Sequence, residues 1–150
     1  MNSRITPMDA LRYYLLASTG LNLLWEILQI PLYTISQTGT NREIAFAILH
    51  CTAGDSVIAT SSLVLALVVF ANRDWPASRN TIVNISVVAG GLIYTIFSER
   101  INIAKQAWAY SDLMPIIPSL EVGLAPALQW LIIPIISLWI MQRRAMPTSQ

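Results

Sequence analysis

Charge is scarce in this chain, and what there is comes nearly balanced. Of 150 residues only 11% are charged, the formal net charge is +1, and there is one histidine and one cysteine. A typical soluble domain is about 25% charged. The balance provides no basic face for nucleic acid and no acidic tail. Cys51 has no second cysteine with which to form an internal disulfide. There is no CxxC or paired Cys/His spacing to support a structural zinc site. One histidine among hard oxygen donors is likewise a poor zinc ligand set. H-E-x-x-H, paired Glu-x-x-His, G-x-S-x-G, a phosphate loop and a Cys/His haem-attachment motif are all missing. Nothing in the pattern calls for a metal or a cofactor. There is no internal repeat, low-complexity segment or linker.

What is abundant is apolar sequence, 55% of the chain. It is gathered into four blocks, at about 13–34, 44–71, 81–100 and 120–141. Crossing ~30 Å of hydrocarbon takes ~20 residues at ~1.5 Å each. The first, second and fourth blocks meet that length. The third falls short unless its helix continues through Glu99 toward Ala104, and the alternative is three crossings with a re-entrant third block. The expected fold is therefore all-α: an integral membrane four-helix bundle, one transmembrane domain over residues 1–150, with short loops. The first block reads as a retained helix rather than a cleaved leader, because Glu26 and Gln29 follow in the same run and no soluble mature domain comes after it.

Lys and Arg counts in the flanks set the orientation. Arg4, Arg12, Arg73, Arg79, Arg143 and Arg144 fall on one side, and Arg42, Arg100 and Lys105 on the other. This places both termini in the cytoplasm. The segment from Ser98 to Ser119 carries Trp108, Tyr110, Pro115 and Pro118. It is expected to lie on the outer membrane surface, with Trp108 and Tyr110 at head-group level and Ser111 open to water.

The informative residues are polar ones inside the blocks. A charge at the centre of a span costs ~2.5–3.5 kcal/mol or more, so such residues face the bundle interior. Asn22, Glu26, Gln29 and Tyr33 are spaced to share one helical face. The second block holds His50, Cys51 and Asp55, and Cys51, Asp55 and Ser62 share a face. By the rise per residue, Glu26 and His50 both lie ~21 Å from the inner edge, with Asp55 ~7 Å below His50 and Gln129 near the same level. Glu99 and Arg100 form the outer rim, with Lys105 above. The inner half looks plain, apart from Ser137. These depths and short connections predict a Glu26–His50 pair with Asp55 and Gln129 below it. The bland reading is a structural ion pair that fixes helix register.

The segments WEILQIPLYTI (Trp25–Ile35), LHCTAGDSVIAT (Leu49–Thr60), SERIN (Ser98–Asn102), WAYSDLMP (Trp108–Pro115) and GLAPALQWLIIP (Gly123–Pro134) resemble a family of small, uncharacterised bacterial inner-membrane proteins. The resemblance covers most of the chain. It implies a location in the bacterial plasma membrane and assigns no chemistry.

Three function classes remain. The first is an intramembrane enzyme acting on a lipid or other hydrophobic small molecule. Glu26, His50 and Asp55 would do acid–base work, while Gln29, Glu99, Arg100, Lys105, Trp108, Tyr110 and Gln129 would contact substrate. The second is a non-enzymatic accessory subunit or assembly factor of a membrane complex, which would show a polar or small-residue stripe facing outward. The third is a small transporter, which with four helices would have to oligomerise. Partners under these readings are membrane lipids, a hydrophobic small molecule, and a second copy or another membrane protein.

Overall fold

The computed structural model describes residues 5–76, 78 and 80–145. Four long helices dominate: α1 (Pro7–Gln29), α3 (Asn41–Phe70), α4 (Thr81–Ala104) and α5 (Leu124–Ala145). All four are long and apolar enough to cross a membrane. The protein is a membrane-embedded four-helix bundle in which α1 packs against α3 and α5, and α4 packs against the same two. A Gln142–Asn84 hydrogen bond of 3.0 Å ties the end of α5 to the start of α4, as an alternating up-and-down course requires.

The buried core is apolar around Tyr14, Leu63, Val83, Val87, Trp130, Leu138 and Met141, but unlike a water-soluble bundle the outer surface is apolar too. Leu28, Val68 and Ile93 are 68%, 78% and 68% exposed, while Asn22, Glu26 and Gln129 are 2%, 6% and 2% exposed. Apolar side chains lose nothing by facing lipid tails, whereas polar ones must find partners inside. Tight packing occurs where side chains are small. A Cβ on Gly91 of α4 would overlap the Trp130 ring of α5, so the absent side chain lets the indole lie against the α4 backbone.

Helix starts are set by caps. The Thr6 and Asp9 side chains form a capping box that starts α1 at Pro7, and Thr40 with Glu43 does the same for α3. Hydropathy alone places the first span after Arg12, because these capping turns are polar. The third span runs to Ala104, long enough for a full crossing. α5 starts later than the apolar run does. Residues Ile116–Ile117 (β1) and Val122–Gly123 (β2) pair as a small antiparallel hairpin, with Glu121 at φ 56° in its turn.

The connection between α4 and α5 packs against the bundle. It folds back as a lid over the turn that follows α1 and the short helix α2 (Ile35–Thr38). The Thr34 amide donates to Ala109 O at 2.9 Å, and the Ser111 amide donates to Leu32 O at 2.9 Å. The Ser111 hydroxyl donates to Pro31 O at 3.0 Å, so Ser111 is buried rather than open to water. At the opposite pole Arg12, Arg73, Arg143 and Arg144 are exposed; Arg4 and Arg79 lie outside the described residues.

Candidate functional site

Helical geometry brings four polar side chains of α1 to one buried face: Ser18, Asn22, Glu26 and Gln29. Opposite them, α5 presents Gln129 and α3 presents Asp55. The Gln129 side-chain amide is the hub. Its Nε2 lies 2.9 Å from Asn22 Oδ1, 3.1 Å from Glu26 Oε1 and 2.9 Å from Asp55 Oδ2. Gln29 Nε2 donates to Glu26 Oε1 at 2.8 Å and approaches Gln129 Oε1 at 3.4 Å. Trp25 Nε1 donates to Gln29 Oε1 at 3.1 Å, fixing that amide's orientation. The carboxyl groups of Glu26 and Asp55 lie within hydrogen-bonding reach of each other.

The Gln129 amide has two protons and three acceptors around it. A second carboxyl beside Glu26 adds an acceptor but no donor. A proton held between Glu26 and Asp55 completes the set, since like charges in contact in a dry interior do not both ionise. Among the described residues no lysine, arginine or histidine forms an ion pair with either carboxyl group.

The expected Glu26–His50 pair does not form. His50 is exposed on the outer face of α3 and stacks on Phe46, with ring centroids 5.6 Å apart. At 3.6 residues per turn, His50 and Asp55 point about 140° apart, so both cannot face α1. Asp55, about 7 Å further along α3 than His50, is the residue that reaches the level of Glu26 and Gln129, and depth along a helix says nothing of azimuth. Asp55 takes the place beside Glu26, with Cys51 one turn away on the same face and half-buried.

A second cluster lies beneath the lid. Glu99 is 7% exposed and accepts from the Tyr110 hydroxyl, which in turn accepts from the Gly123 amide at 2.9 Å. Tyr33 stacks on Tyr110 with centroids 5.5 Å apart and faces the same carboxylate. Trp108 turns its indole N–H toward it too, buried and short of a regular hydrogen bond. Burial and the Glu99 carboxylate push the Tyr33 and Tyr110 hydroxyls above their usual range, which keeps both as donors. Trp108 and Tyr110 therefore turn toward the bundle, where Glu99 offers a buried acceptor that they share with Tyr33. Arg100 and Lys105 stay exposed, and Arg100 sits 3.6 Å from Glu121 of the hairpin turn.

Asn22, Tyr33 and Cys51 belong with these clusters and lie outside the catalytic and binding set expected from sequence. The first two share the Glu26 face, and the third shares the Asp55 face, so the signal was present in the spacing. Neither is the inner half plain, since Tyr14, Ser18, Asn84, Ser137 and Gln142 all bring polar atoms into it. Among the described residues no group of three or more His, Cys, Asp or Glu is placed to hold a metal ion. Comparison with family models, with curated proteins and with solved structures finds no match to this chain.

Proposed function

We propose that this is a bacterial inner-membrane protein, termini cytoplasmic, that carries out acid–base chemistry on a lipid or other hydrophobic small molecule. Glu26 and Asp55 are its proton-exchanging pair. One observation carries the reading: two carboxyl groups from different helices meet around a single amide in the membrane interior. Packing alone does not call for them. Asn22, Gln29 and Gln129 already tie α1 to α5 with neutral groups, and each carboxylate placed there costs ~2.5–3.5 kcal/mol or more if charged. A shared proton that can leave and return is what the pair adds. Glu99, ringed by Tyr33, Trp108 and Tyr110, supports the same reading as a polar contact for a head group at the lidded pole.

The test is retention and turnover. The protein is purified in native-lipid discs, retained hydrophobic molecules are identified, and their conversion is followed. Wild type should retain and convert one such molecule, and Glu26→Gln or Asp55→Asn should stop conversion while the fold persists. Conversion indifferent to both changes, or no retained molecule, refutes the proposal. A C-terminal reporter active only outside the cytoplasm would reverse the orientation.

One observation favours the accessory-subunit reading instead. An outward-facing groove of about 410 Å³ between α3 and α4 is lined by Ser61, Ser62, Ser86 and Gly90 among apolar residues. Small residues of this kind let helix backbones approach closely. Cysteine cross-linking from Ser86 to a co-purified membrane protein, with no conversion of any retained molecule, would favour that alternative.

A further inference from the structure

The buried face of α1 stays polar well past the carboxyl pair. From Glu26 toward the helix start it presents Asn22, Ser18 and Tyr14, the last two 1% exposed each. The facing helix answers in kind. Gln129 bonds Asn22, and the two helices run antiparallel, so Ser137 comes level with Tyr14, about two turns or ~12 Å below Asn22 and Gln129 and ~18 Å below Glu26. Ser137 is 0% exposed. The Tyr14 hydroxyl and the Ser137 hydroxyl are both without a hydrogen-bond partner among the described residues. Between Gln129 and Ser137 stands Pro134, fully buried inside α5. Proline has no N–H, so the Trp130 carbonyl one turn earlier loses its helical partner. Below Tyr14 and Ser137, Gln142 and Asn84 close the column at the arginine-flanked pole.

Two orphan hydroxyls at one level, with a carbonyl that Pro134 cannot serve between them and Gln129, are costly in a dry interior. Buried water is what satisfies such groups, each molecule taking about three hydrogen bonds. We propose that a file of water molecules runs along the bundle axis from Gln142 and Asn84, past Tyr14, Ser137 and the Trp130 carbonyl, to Glu26 and Asp55. The proton leaving the carboxyl pair passes to the nearest water, each water hands one on, and the proton is released at the arginine-flanked pole. Reprotonation retraces the path. The inference rests on Glu26–Asp55 exchanging a proton, and it adds the side of the membrane with which they exchange.

The test follows isotope exchange, which is independent of any substrate. Protein in lipid discs is mixed with D₂O, and the shift of the protonated-carboxyl infrared band is timed. Glu26→Gln combined with Asp55→Asn assigns the part of the band that belongs to the pair. Ser137→Leu plugs the file. Tyr14→Phe removes one hydroxyl at nearly constant volume and serves where Ser137→Leu fails to fold. Losing one buried hydrogen bond of ~1.4 kcal/mol along the path slows exchange about tenfold. Slowing of that order in Tyr14→Phe, and more in Ser137→Leu, is the expected result. Exchange as fast as wild type in a folded Tyr14→Phe overturns the file. So does exchange slowed by Glu99→Gln but not by Tyr14→Phe, which would route protons beneath the lid. Fast exchange that Tyr14→Phe slows, in a protein that converts no hydrophobic molecule, would uphold the file and refute only the enzymatic reading.

Discussion

Replacing Gln129 by leucine is the most searching perturbation of the polar hub. The change keeps roughly the same volume but removes the donor that serves Asn22, Glu26 and Asp55 at 2.9, 3.1 and 2.9 Å. Two magnitudes compete. Interhelical hydrogen bonds in membranes average ~0.6 kcal/mol, so three lost bonds come to about 2 kcal/mol. Leaving a buried acceptor with no donor costs ~1–3 kcal/mol each, which would give far more. Partial relief comes from Gln29, which already donates to Glu26 at 2.8 Å and keeps that acceptor served. Asn22 and Asp55 are then the groups left short, and the expected loss is about 2–3 kcal/mol. Unfolding in mixed micelles with increasing anionic detergent measures it, read by tryptophan fluorescence. The double change Gln129→Leu with Asp55→Leu should cost about 1 kcal/mol less than the sum of the single changes, since each single change strands the other partner. Additivity within ~0.5 kcal/mol, or a Gln129→Leu loss below ~0.5 kcal/mol, would refute the hub.

Further consequences are open to the same or simpler assays. Gly91→Ala pushes a methyl group into the Trp130 ring, which at 3% exposure has nowhere to go, and should cost ~1–3 kcal/mol, whereas Gly54→Ala meets nothing within 4 Å and should be neutral or stabilising by up to ~1 kcal/mol. Equal losses at the two glycines would contradict the α4–α5 packing. A cysteine at Asp112 should react with an aqueous thiol reagent while one at Ser111 stays protected, because the lid exposes the first and buries the second; fast labelling at Ser111 would mean that the lid is not seated on α1. His50→Ala should change stability by no more than ~0.5 kcal/mol and leave carboxyl-pair exchange untouched; a large effect on either would restore His50 to the site.

The sequence made the bundle legible because its signal is long. Runs of twenty or more apolar residues can be placed without knowing any tertiary contact. Much of the site was legible for the same reason: the Asn22, Glu26, Gln29 and Tyr33 spacing defines a face before any partner is known. Two things were not readable. The choice between His50 and Asp55 turns on which side of α3 meets α1, and depth along a helix carries no information about azimuth. The inward turn of Trp108 and Tyr110 depends on Glu99 lying beneath a loop anchored by backbone bonds to Leu32 and Thr34, a pairing across some 75 residues that no local pattern reveals. Thr6 and Thr40 show the converse: their capping boxes are local patterns, but a capping turn is polar and so lies outside the apolar run that it starts.

Half of the most apolar stretch of α5 is buried inside the bundle, against 17–22% for the other three long helices. It is also the last of the four to leave the ribosome. Until it arrives, Asn22, Glu26 and Asp55 lack their shared donor, and the polar faces of α1 and α3 have only lipid or the insertion machinery to meet. Biosynthesis of this bundle is therefore decided late, at the release of a helix that fills the centre rather than the edge. Chains stalled before Leu124 display membrane-embedded carboxyl groups to whatever surveys the bilayer, a mark by which an unfinished copy differs from a finished one.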